Sequence, residues 1–108
     1  MEYQRLPFSL GIRDIDQGWN KGVYDCPIVL AVKRKFKSKG IISKVYCCGN
    51  WIVIDEEKIP YPDKVMIWSA MQMQYIGKFH KYNKMEALKN LKPIEFTMRL
   101  PVRFKNVG

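Results

Sequence analysis

Histidine is almost absent from this chain, which removes most hydrolytic and transfer chemistry at the outset. His80 is its single imidazole, set between Phe79 and Lys81, and a neighbouring ammonium disfavours the charged ring. It reads as an exposed loop histidine. Cysteine is also scarce and odd in number, at Cys26, Cys47 and Cys48. Adjacent cysteines bridge only with strain, so the pattern suggests a reducing compartment rather than a disulfide framework. Cys47 and Cys48 lack the C-x-x-C spacing that turns two thiolates toward one ion, and no zinc site is expected. Neither a G-x-x-x-x-G-K-[ST] nor a G-x-G-x-x-G phosphate loop occurs. There is no internal repeat and no low-complexity tract. No stretch approaches the roughly 20 consecutive apolar residues that span a bilayer. The opening residues lack the charged-then-apolar layout of a signal peptide. The expectation is a cytoplasmic protein with no membrane partner, no cofactor and no metal. Catalytic residues are not expected either, Cys26 and His80 being the only candidates for an enzyme.

Acidic residues are in short supply as well: ten Asp and Glu face 19 Lys and Arg, a formal charge of +9. So large an excess on a small body attracts anions. It is also clustered. Lys33, Arg34, Lys35, Lys37, Lys39 and Lys44 occur with no acidic residue among them, while Lys78, Lys81, Lys84, Lys89 and Lys92 are relieved only by Glu86. Asp55, Glu56, Glu57 and Asp63 gather much of the negative charge elsewhere. Distinct basic and acidic sides are expected.

At 108 residues with 47% hydrophobic content, the chain suits one folded domain over 1–108, with 101–108 either frayed or extending a sheet edge. Phe8, Leu10 and Ile12 alternate with polar or small neighbours, the period of a half-buried strand. The stretch 13–22 is rich in Asp, Gly and Asn and predicts a turn, or one helical turn and a loop. Asp25-Cys26-Pro27 opens a helix, since Pro is tolerated in a first turn, and Ser38-Lys39-Gly40 ends it. Ile28, Val29, Val32 and Phe36 share one of its faces. The runs 41–47 and 51–54 read as a hairpin turning at Cys48-Gly49-Asn50, followed by an acidic turn over 55–58. Ile59-Pro60-Tyr61-Pro62 reads as an extended lead-in to a helix over 63–76 that stops at Gly77. A loop over 78–83, a short helix over 85–90 and a fully alternating strand over 93–100 complete the series. These elements predict an α+β fold: a small mixed or antiparallel sheet of about four strands with two main helices packed on one face.

Several of these pieces, in this order, resemble a group of small phage-encoded accessory proteins of unassigned activity. The matching residues are Asp14-Ile15-Asp16-Gln17-Gly18, Cys26-Pro27-Ile28-Val29-Leu30-Ala31, the stretch 62–68, and Pro93-Ile94-Glu95-Phe96. The chain departs from that pattern by a longer segment over about 75–91, which holds one basic cluster. The resemblance implies a viral origin and an accessory role in a bacterial cytoplasm, such as counter-defence or host modulation. It implies no chemistry.

The functional expectation therefore rests on charge and rings. Lys78-Phe79-His80-Lys81-Tyr82-Asn83-Lys84 interleaves cations with aromatics, a pairing that neutralises phosphate and stacks on bases. Trp19 and Tyr24 stand near the free amides of the first long helix, a second place for an anion. Binding without turnover is expected, with Lys33, Arg34, Lys37, Lys78, Lys81 and Lys84 supplying charge and Phe79, Tyr82 and Trp19 stacking. The partner is then an anionic ligand, either a nucleotide signal or nucleic acid. The alternative is a protein-binding inhibitor of a host enzyme, anti-CRISPR-like in kind. Cys26 reads as a packing residue between helix and sheet. Homo-oligomerisation through the edge of the closing strand is a further expectation.

Overall fold

A computed structural model describes residues 2–19, 21–79 and 84–107, with the side chains of 76–79 and 105–107 outside the description. The first and last strands, β1 (Tyr3–Leu10) and β5 (Ile94–Pro101), pair antiparallel over their whole length, from Tyr3 opposite Pro101 to Leu10 opposite Ile94. Between them in sequence lies a meander of β2 (Val45–Cys48), β3 (Trp51–Ile54) and β4 (Glu57–Pro60), also antiparallel throughout. The fold is α+β. The described strands number five, close to the four expected, and they divide into a two-stranded and a three-stranded antiparallel sheet.

Strand β1 starts five residues before Phe8, because its partner supplies hydrogen bonds to residues whose own sequence is polar. Leu6, Phe8 and Leu10 face inward, as do Phe96, Met98 and Leu100 of β5, and Phe8 stacks on Phe96 at 5.7 Å. The hairpin turn is Gly49-Asn50, with Cys48 opposite Trp51. The acidic turn is tighter than its sequence suggests: Asp55 and Glu56 both take left-handed backbone angles, which match the twist of the flanking strands. That turn carries the chain straight into β4, so 59–60 form a third strand instead of a lead-in.

Helix α1 (Ile12–Gly18) replaces the expected turn. Its first turn is held by Asp14, whose carboxylate accepts from the Gly11 amide at 2.9 Å, and its one fully buried apolar side chain is Ile15. Seven residues are too few for a stable isolated helix, so packing makes it. Helix α2 (Pro27–Ser38) begins and ends where its sequence says. Its last carbonyls are taken by a Schellman closure in which Ile41 donates to Phe36 and Gly40, with φ of +71°, donates to Lys37. Helix α3 (Asp63–Phe79) runs two residues past Gly77, because an isolated glycine lowers helix stability by only about 1 kcal/mol. Helix α4 (Lys84–Asn90) follows, and a short 3-10 segment (Val102–Val107) ends the chain, folding back so that Phe104 is buried against Phe36 at 5.5 Å. One core joins the inner faces of both sheets to Ile28, Val29, Val32 and Phe36 of α2 and to Val65 and Trp68 of α3. No described helix is long and apolar enough to cross a membrane.

Gly18 sets how closely α1 approaches α2. A Cβ there would lie 2.5 Å from the Pro27 nitrogen and 2.9 Å from the Cys26 carbonyl carbon, both backbone atoms that cannot rotate away. Gly18→Ala should therefore destabilise the fold by about 1–3 kcal/mol, read as a lower urea midpoint at unchanged m-value.

Candidate functional site

The two-stranded sheet turns one face to solvent, and the register decides what that face carries. Tyr3, Arg5, Pro7 and Ser9 point outward on β1, while Glu95, Thr97 and Arg99 do so on β5. Arg5 stands directly opposite Arg99. Cross-strand neighbours sit about 4.5–5.5 Å apart at Cβ, a distance at which like charges destabilise a sheet. Among the described residues neither arginine has a carboxylate partner. The Arg99 guanidinium instead covers the ring of half-exposed Tyr3, 4.6 Å from its centroid.

Helix α2 packs on the inner face of this sheet and reaches the edge of β1 away from β5. Its Lys35 ammonium donates to the Pro7 carbonyl and lies 5.1 Å from the Phe8 ring centroid, and Arg34 donates to the Ser9 carbonyl at 2.6 Å. Partial burial, with the nearby Lys39, lowers the Lys35 pKa, as expected for a cation held against a strand. The outward positions of β1 recur about every 6.6 Å. Tyr3–Arg99 and Arg5 thus open a short row on the outer face, while Lys35 and Arg34 reach the β1 edge from the inner side. Glu95, opposite Ser9, lies at the far end of the outer face. A hollow of 380 Å³ beside the row is lined by Pro7, Pro62, Lys64, Glu95, Phe96 and Thr97.

The residues singled out in the sequence meet only in part. Lys33, Arg34 and Lys37 line one open hollow with Arg13. Arg34 is turned inward, with Nη1 2.7 Å from both oxygens of buried Asp14. Lys33 donates to the Tyr24 carbonyl at 2.6 Å and stands 3.9 Å from Asp25. Lys84 pairs with Asp16 at 2.8 Å, so α1 neutralises one cation from each basic cluster. Trp19 offers no stacking surface: its ring is buried in the core, with Nε1 lacking a hydrogen-bond partner among the described residues. Tyr24 packs on Tyr46 at 5.5 Å. Lys78 and Phe79 fall in the last turn of α3 with side chains outside the description, and His80, Lys81 and Tyr82 lie outside the described residues.

A second constellation gathers around Cys26, which the sequence marks as a packing residue. Cys26, the N-cap of α2, brings its sulfur to 3.4 Å from that of Cys47 on β2. Both line a cleft of 480 Å³ walled by the start of α2, the β2–β3 turn, Tyr61 and α3. The two thiols ionise as a pair. A hydrogen bond from Cys26 draws Cys47 down to about 7, with Tyr61 assisting, and the same bond together with burial pushes Cys26 far up. Burial, with the neighbouring sulfurs, likewise raises the Tyr61 hydroxyl.

No protein-family model, curated protein or solved structure matches this chain. Its site is defined by its own geometry. Arg99 was legible as an outward residue in the alternation of the closing strand, but its neighbour Arg5 lies 94 positions away in sequence. Nothing local pairs them.

Proposed function

We propose that this protein binds an extended, phosphate-bearing ligand without turnover, and that single-stranded nucleic acid best fits its outer strand face. The observation that carries the reading is the Arg5–Arg99 pair. Two guanidinium groups opposite one another repel unless an anion lies between them, and here no side chain supplies it among the described residues. Planar guanidinium groups pair well with phosphate, Tyr3 offers a ring to a base, and the neighbouring hollow has room for one. Lys64 adds charge at that hollow, and Lys35 adds it at the neighbouring edge of β1. In the setting that the phage resemblance implies, such binding would serve counter-defence or host modulation in a bacterial cytoplasm.

A second reading, an inhibitor that docks on a host protein, draws support from α3, whose Ile67 and Met71 are exposed one turn apart on the same face. The two separate in a salt titration. Affinity for a fluorescent oligothymidylate should fall with a log–log slope of about −2 to −3, three to four phosphates at about 0.7 each for a single strand. A mononucleotide should give a slope below about 1. No measurable oligonucleotide binding at low salt would discard the first reading and leave the second.

A further inference from the structure

We propose that Cys26 and Cys47 form a redox couple that exchanges with disulfide-bonded substrates entering the cleft between α2, the β2–β3 turn and α3. Two sulfurs 3.4 Å apart are in contact, and a disulfide of about 2.05 Å needs them to close by little more than about 1 Å. The pair is reachable, since both residues line the 480 Å³ cleft and neither is fully buried. Its position divides the labour. Cys47 lies on β2 with Tyr61 beside it, whereas Cys26 caps α2, where burial weighs more on its thiol. The walls carry Val23, Ile28, Met66 and Met73 with Lys21 at the same opening, so the cleft suits a disulfide with apolar flanks. Cys48, on the same strand, is exposed and points to the opposite side because strand side chains alternate.

The reaction balances without any further reagent. The Cys47 thiolate attacks one sulfur of R–S–S–R, forming a Cys47–S–S–R bond and breaking the substrate's S–S bond. The leaving R–S⁻ takes up a proton from water. Cys26 then loses its proton to solvent and attacks the Cys47 sulfur, closing the Cys26–Cys47 disulfide and expelling the second R–S⁻. The substrate gains two electrons and the protein loses two. The thiolate is the attacking species in each half, and the depressed ionisation of Cys47 fits it for the first.

The test uses the full chain carrying Cys48→Ser, equilibrated with oxidised glutathione, acid-quenched, alkylated and weighed. The expected product has lost two hydrogens, resists alkylation at both sulfurs and is restored by dithiothreitol. Adding Cys26→Ser should stop the reaction at one glutathione on Cys47, and adding Cys47→Ser should slow it at least tenfold. The initial rate in the Cys48→Ser protein should rise to half its maximum near pH 7, against about 8.5 for free cysteine. Folding of each variant is checked by circular dichroism. The rate profile and the mass of the Cys48→Ser protein decide the matter even if a further variant unfolds. Two alkylatable sulfurs after equilibration, or equal rates for the Cys26→Ser and Cys47→Ser proteins, overturn the proposal.

Discussion

Replacing Arg5 by glutamate should make this protein more stable and make it lose its ligand. In the folded chain Arg5 faces Arg99 across the β1–β5 ladder, on the solvent side, where a like-charged pair opposes the sheet. Glutamate turns that repulsion into a cross-strand ion pair, and such pairs are each worth roughly 0.2–1 kcal/mol in a sheet. The melting temperature should rise by about 1–8 °C, given that 1 kcal/mol corresponds to about 4–8 °C in a domain of this size. Binding moves the other way. The change removes one cation from the row and engages Arg99 with the new carboxylate, so about two phosphate contacts disappear. The salt slope should shrink by about 1.4 and oligonucleotide affinity at low salt should fall about 100-fold, at about tenfold per lost charge-assisted contact. Differential scanning fluorimetry and fluorescence anisotropy on the same preparations check both halves. An Arg5→Glu protein that melts higher and binds unchanged would separate the sheet's energetics from the proposed function and move the ligand elsewhere.

The largest loss of stability expected from a single polar change is at Asp14. This carboxylate is buried, accepts from the Gly11 amide at the start of α1, and accepts Nη1 of Arg34 on both oxygens. Asp14→Ala removes the cap of α1 and leaves Arg34 without its counter-ion against the sheet edge. A fully buried broken pair costs about 3–5 kcal/mol. The Arg34 side chain is 50% exposed, which lowers the expectation to about 2–3 kcal/mol, or a melting temperature at least about 10 °C lower. Lys84→Ala provides the contrast. Its 2.8 Å pair with Asp16 is as short, yet both side chains stand in solvent, and its loss should cost less than about 1 kcal/mol. If the two substitutions cost the same, burial is not what distinguishes the pairs. Arg34, chosen from the sequence as a ligand contact, is on this account a structural cation first.

Local pattern alone determined the elements whose stability is local. The α2 boundaries follow from Pro27 and Gly40, the hairpin from β-branched runs around a glycine turn, and the inward set of β5 from strict alternation. The charge excess and its clustering were equally plain. Tertiary structure decided everything that depends on residues far apart in the chain. The polar start of β1 becomes a strand only because β5 pairs with it, seven residues of α1 become a helix only against α2, and 59–60 join a sheet only through the left-handed turn at Asp55 and Glu56. The same holds for the chemistry. Arg5 meets Arg99, and Cys26 meets Cys47, across separations that no periodicity spans. Side-chain period reports which way a residue faces, while the identity of its neighbour is set by register and packing, which exist only once the chain has closed.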